Sequence, residues 1–470
     1  MSENFDQFSE EEINELKQKF IQMKDTHSGL YLDVDEYEQL IDYFFEKENT
    51  ENIEIAISFA LEQHPNNYDF LLKKAQLLAL NGQDEQGLQI LDDIASLGND
   101  PDYFMIKGTL LSNLQKYREA IEEYTKALNK GQDLEEVYAN IAFEYENLEQ
   151  YNKAIEYINK VLEINPKNEA ALNEAGICFE MSNQSADAIE YFNDFLDQHP
   201  YSRSAWFNLA IALNSYGDNE KAIEAYEFSL AIDENQASAL FNIANIYAGL
   251  NDHDKAIRYY KETLSKETPD TITYYYMGES YEKLDNFDEA LSCYKKSIKI
   301  NSGFHEAYVG IARCYFSIGD EEQAYHFIGE AVDLGEPFPL FWSIRSLKLD
   351  EQGFFKLAKM AVLQLIKKNP GEVLYSINLA LLLSNHDLRK AIEILNDTLI
   401  QYSDTKHLAI ILYLKGIYLV QMGNDEKGLS YFEKAILLNK EDINNPLIQG
   451  ELLEMNHNGL NDLMKKYDLS

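Results

Sequence analysis

Apolar and polar residues alternate along this chain in a pattern that returns every 34 positions, most clearly between residues 101 and 368. Within each period, apolar side chains stand at positions 4, 7, 8 and 11, and spacings of three and four return to one face of an α-helix. A second amphipathic run follows, anchored at position 20 by Ala120, Ala154, Ala188, Ala222, Ala256, Ala290, Ala324 and Ala358. Small side chains at positions 8 and 20 let two helices approach where Leu or Phe would hold them apart, and aromatic residues at positions 4 and 24 fill the remaining space. Each period therefore predicts an antiparallel helical hairpin. Its turn carries Gly82, Asn183, Gly217, Asn251, Asp285, Gly319, Gly353 and Gly423 in one column, residues that tolerate the left-handed conformation ending a helix, with Gln115 and Glu149 as departures. The second helices are expected to stop before Pro65, Pro166, Pro200 and Pro370, because proline lacks the amide hydrogen an interior helical position needs.

A hairpin of this size cannot bury its own apolar stripe, so a fixed period of this length predicts stacked units sharing one continuous core. Position 4 holds Phe104, Tyr138, Leu172, Trp206, Leu240, Tyr274, Tyr308 and Trp342. Position 8 holds Gly108, Ala142, Gly176, Ala210, Ala244, Gly278 and Ala312, with Ser346 as a departure. With these columns the chain resembles the tetratricopeptide repeat family. The resemblance runs from about residue 34 to 440, including degraded units near Val34, Tyr68, Val373 and Ala409. It implies an all-α fold, a right-handed α-solenoid of about 11–12 helical hairpins. Residues 1–33 read as a capping helix, with Ser9 and Glu12 at its start and Ile13, Leu16, Phe20 and Met23 on one face. Residues 441–470, with Leu447, Leu452, Leu453, Leu460, Leu463 and Met464, read as the closing cap. The unit near Val373 has a turn one residue shorter, and the Gln401 to His407 linker is long, so a bend is expected there; Pro337 and Pro339 mark a second place for altered curvature.

Charge narrows the partners. Against 40 basic residues stand 81 acidic ones, a formal net charge of −41, which repels phosphate backbones and anionic lipid surfaces. The chain is expected to bind neither nucleic acid nor membrane. No apolar run is long enough to cross a bilayer, and the first residues lack the basic start and apolar centre of a secretion signal, so a soluble cytoplasmic protein is expected. Cys178, Cys293 and Cys314 lie in different repeats at spacings that suit neither a disulfide framework nor a metal site, and read as buried small hydrophobes.

Candidate chemistry is sparse. The nine histidines are scattered, and no glycine-rich phosphate loop or nucleophile-elbow pattern occurs, so no catalytic residue, metal or cofactor is expected. The resemblance implies instead that partner segments bind on the concave face, through repeat positions 2, 5, 9, 12 and 13. Carried onto this sequence, those positions give Phe143, Asn173, Ile177, Phe207, Ile211, Phe241, Asn245, Tyr275 and Arg313 as candidate partner-binding residues. The apolar ones either form a track for an extended or helical segment, with Asn173 and Asn245 bonding its backbone, or pack against neighbouring helices or a second copy in a homodimer. Arg313, beside Phe316, is a candidate anchor for an acidic or aromatic element. The function implied is a non-enzymatic protein-interaction scaffold or adaptor for protein or peptide partners. Its alternatives are a regulatory peptide receptor and a recruiting subunit of a larger enzyme complex.

Overall fold

A computed structural model describes residues 10–26, 30–98, 100–128, 130, 133–334, 339–402, 406–453 and 457–468. Ser9, Pro337 and the centre of the Gln401 to His407 linker lie outside the described residues, as does the side chain of Trp342. Among the described residues all regular structure is helical. Twenty-four helices, from Val34–Glu46 to Asp425–Leu438, pair into twelve hairpins. The fold is an all-α solenoid of helical hairpins. It divides into two compact units, Met1–Glu234 and Asn235–Ser470. Within each unit, the second helix of one hairpin packs against the first helix of the next.

The small column explains why the hairpins close. All eight position-20 alanines are 2% exposed or less, so a larger side chain there has nowhere to go. Positions 11 and 23 add aromatic pairs across several hairpins: Tyr145 stacks on Tyr157 at 5.6 Å, Tyr247 on Tyr259 at 5.6 Å and Tyr315 on Phe327 at 5.6 Å. The three cysteines are buried and unpaired, filling core space as their scatter suggested. Second helices end at Gln63, Ile164, Gln198 and Lys368, just ahead of the four prolines.

The turn column behaves as one backbone motif. Every residue in it has positive φ, and so do the two departures, Gln115 at 59° and Glu149 at 56°. In each case the amide following the left-handed residue donates back into the last turn, as Lys116 does to Leu111 at 2.9 Å and Gln150 to Tyr145 at 2.8 Å. The hairpin thus imposes the conformation whether or not the residue favours it. The short turn at Asn385 is the exception: its φ is −69°, and the Asp387 amide donates to Leu383 instead. Replacing Gln115 or Glu149 by Gly is therefore expected to stabilise the fold by roughly 0.5–1 kcal/mol, read as a higher denaturant midpoint with unchanged slope.

At the amino-terminal end, helix Glu10–Thr26 buries Leu16, Phe20 and Met23 against Tyr37, Leu40 and Phe44 of the first hairpin. At the other end, helices Pro446–Leu453 and Asn458–Lys466 place Ile448 and Leu460 in the core that holds Tyr413 and Phe432.

Candidate functional site

The first-helix face is sorted by a relation between positions 9 and 24. Where position 24 is tyrosine, its hydroxyl needs a partner once buried, and position 9 often supplies it. Tyr260 donates to Asn245 Oδ1 at 2.6 Å, and Tyr124 lies 3.3 Å from the Thr109 hydroxyl. Where position 24 carries no hydroxyl, at Ile158 and Phe192, position 9 is Phe143 or Ile177. Those two side chains are 51% and 52% exposed. Ile211, opposite Tyr226, and Arg313, opposite Ile328, break the relation. Polar residues at position 9 are thus largely occupied inside their own hairpins, whereas Phe143 and Ile177 have no such role.

The remaining candidates divide further. Asn173 is exposed and accepts from Asn208 Nδ2 at 3.0 Å. Phe207 and Phe241 are half-buried, each leaning on its own hairpin's tyrosine: Phe207 meets Tyr226 edge-on at 5.4 Å, and Phe241 meets Tyr260 at 5.9 Å. They are partly core, so neither isolates binding from packing. Ile211 is half-buried, and Tyr275 rests on Tyr294 and Phe304 while donating to Glu279 at 2.7 Å.

Arg313 corrects the sequence expectation. Only 8% exposed, it donates from Nε to Glu282 Oε1 and from Nη2 to Glu282 Oε2, both at 2.8 Å. Its charge is used inside the fold to neutralise Glu282 from the preceding hairpin, so it offers no free cation to a partner. Position 9 alone did not reveal this; Glu282, three residues after the position-9 Glu279, was the available signal.

The structure also brings together residues outside the nine candidates. A cavity of about 600 Å³ runs along the first-helix face between hairpins of the first unit. It is lined by Leu72, Gln76, Ala79 and Leu80 of helix Tyr68–Leu80, by Asp102, Met105, Thr109 and Asn113 of Pro101–Asn113, and by Glu136. These are the same repeat positions in consecutive hairpins. The half on helix Tyr68–Leu80 was hidden because that unit is degraded: its turn glycine, Gly82, is displaced by one residue from the 34-residue register. A second cavity, about 550 Å³, lies along the loops joining hairpins at Pro166, Tyr201 and Ile232. Arg203 in its lining is held by Glu169 and Asp233.

Three carboxylates beside Phe143 and Ile177 carry unusual electrostatics. Glu144 is 1% exposed with Oε2 unbonded, and Glu146 has a buried, unbonded Oε1. Burial, then the neighbouring Glu174, raises the Glu146 carboxyl from the ordinary 4.5 to about 7; burial also raises Glu144 and Glu174. Between about pH 4.5 and 7 the folded state therefore holds a proton on Glu146 that the unfolded chain has released. The associated stability is complete below about pH 4.5 and is lost as pH rises through about 7. Glu146→Gln keeps the neutral form, so the variant is expected to match the wild type near pH 4.5 and exceed it by about 1–2 kcal/mol at pH 8, measured by denaturant unfolding at both.

Sequence comparison fits the same geometry. Models of the tetratricopeptide repeat match residues 101–129, 135–168, 171–202, 201–265, 272–304 and 409–442. The chain is a tetratricopeptide repeat protein. No curated protein matches it. Among solved structures, a crystal structure of MamA is 20% identical, covering 43% of this chain and 91% of that one with a TM-score of 0.29. The crystal structure of the APC/C hetero-tetramer Cut9–Hcn1 is 13% identical, covering 96% of this chain and 94% of that one with a TM-score of 0.33. Arrays of tetratricopeptide repeats serve as protein-interaction scaffolds, and this array belongs to that broad class. Among the described residues, no helix is long and apolar enough to cross a membrane, and no group of His, Cys, Asp or Glu is placed to hold a metal ion.

Proposed function

We propose that this tetratricopeptide repeat protein is a non-enzymatic interaction scaffold that holds a partner protein segment on the first-helix face of its first unit. The observation that carries this reading is the exposure of Phe143 and Ile177 at a repeat position where Thr109 and Asn245 of other hairpins are held by internal bonds. Contiguous exposed apolar side chains rimmed by polar residues mark protein-interaction surfaces. Met181, 59% exposed at position 13 of the Ile177 hairpin, extends the same surface. The cavity between Leu72 and Glu136 provides a recess on equivalent positions of the preceding hairpins. A preformed rigid face of this kind binds a segment by spreading contacts over several pockets, with a few anchors supplying most of the affinity.

The test is a Phe143→Ser, Ile177→Ser double variant of the full chain. Because both side chains are more than half exposed, melting is expected to change by the equivalent of about 1 kcal/mol or less. Quantitative affinity purification from native extract should show at least one wild-type partner depleted about ten-fold or more. Retention of every partner by the variant overturns the assignment to this face.

A further inference from the structure

The chemistry of the partner is written on the face that would hold it. From Tyr68 to Gln198, repeat positions 2, 5, 9, 12 and 13 carry the carboxylates Asp69, Asp102, Glu136, Glu146 and Glu180 and no Lys or Arg. Lys73, which reaches the rim of the large cavity, has its ammonium on Asp42. The face is thus apolar and negative, without a counter-charge of its own.

Glu146 makes this specific. It follows Phe143 by three residues, one turn along the helix Leu134–Asn147, so both belong to the same helical surface. Its Oε1 is buried and unbonded. The groups that act on it are Glu174 and the Cys178 thiol, both from helix Glu169–Met181; no Lys, Arg or His of the flanking helices Tyr117–Leu128 and Tyr151–Ile164 is among them. Glu146 is half-buried, and a carboxylate with one oxygen shut off from both water and a donor is unfavourable as an anion, a loss that a cation brought to it recovers. On Ile177's helix, Glu180 likewise follows by three residues and is exposed.

Resting on the function proposed above, we infer that this face takes a protein segment presenting a Lys or Arg side chain to Glu146, between apolar side chains seated on Phe143 and Ile177. An acidic segment meets only repulsion here, and a purely apolar one leaves Glu146 unpaired. Binding pulls the Glu146 proton off, because the incoming cation favours the carboxylate. Affinity for such a segment therefore rises with pH between about 6 and 8, around the value of about 7 to which Glu146 is raised.

The experiment uses the full chain and three short fluorescein-labelled peptides, followed by anisotropy at physiological salt: alternating Leu and Arg, alternating Ser and Arg, and alternating Leu and Glu. Proteins compared are the wild type, Phe143→Ser with Ile177→Ser, Glu146→Gln, and Glu190→Gln as a control for lost charge on an exposed second-helix position. The Leu/Arg peptide should bind wild type at least ten-fold more tightly than either other peptide. It should lose that advantage in the double Ser variant, weaken about ten-fold in Glu146→Gln and stay unchanged in Glu190→Gln. Equal effects of Glu146→Gln and Glu190→Gln would reduce the attraction to general charge and overturn the inference. Preferred binding of the Leu/Glu peptide, lost in the double Ser variant, overturns the partner chemistry while leaving the face as a binding site. Indifference of all three peptides to the double Ser variant removes both.

Discussion

Arg313→Met is expected to lower the unfolding free energy by about 3–5 kcal/mol, because it strands the Glu282 carboxylate, whose side chain is 11% exposed. Glu282 accepts both guanidinium bonds and the Tyr294 hydroxyl at 2.7 Å, and Arg313 also reaches Glu279 at 3.4 Å. Burial, followed by the Glu282 carboxylate, raises the Tyr294 hydroxyl well above the usual phenol range, so the tyrosine cannot share a negative charge with its neighbour. Arg313 thus supplies the positive charge that Glu282 bonds in a buried set joining two consecutive hairpins of the second unit. Adding Glu282→Leu to Arg313→Met removes the stranded charge and should restore most of the stability, since a well-packed apolar pair is often equivalent to a buried ion pair. Chemical denaturation of the two single variants and the double variant gives the coupling directly. A loss below about 1 kcal/mol in Arg313→Met would mean that the guanidinium is solvated and free for a partner after all.

Gly310→Leu is expected to cost about 2 kcal/mol. A β-carbon on Gly310 would come within 2.5 Å of the Tyr294 ring, and one on Gly278 within 2.8 Å of the same ring. That ring is fully buried and tethered through its hydroxyl to Glu282, so it has little freedom to withdraw. Overpacking of this kind costs about 1–3 kcal/mol, set against a helix-propensity gain of at most about 1 kcal/mol for replacing glycine. Gly249 supplies the contrast: nothing lies within 4 Å of its would-be β-carbon, and Gly249→Ala should stabilise slightly. Equal responses at 310 and 249 would show that the Tyr294 contact does not limit packing.

The two effects show what was legible in the sequence. Hairpins, turn column and proline stops follow from local rules, and the position-20 alanines and left-handed turn residues fall where period and residue type place them. Gln115 and Glu149 extend the lesson, since the hairpin imposes positive φ even where the residue type argues against it. The candidate site was only partly legible because position 9 serves two purposes. Asn245 and Thr109 answer a buried tyrosine fifteen residues later, and Arg313 answers a glutamate of the preceding hairpin; separating them from Phe143 and Ile177 requires knowing which partner each side chain meets. The electrostatics of Glu146 were not legible at all. Among 81 acidic residues, nothing in sequence order marks Glu144 and Glu146 as having an oxygen buried without a bond.

The central claim is that partners meet the first-helix face, and site-specific photo-cross-linking tests it most directly. With p-benzoylphenylalanine in place of Met181 on the first helix or, separately, in place of the exposed Glu190 on the second helix of the same hairpin, irradiation in native extract should link a discrete partner from position 181 and none from position 190. Cross-links from position 190 alone, or equally from both, would contradict the account.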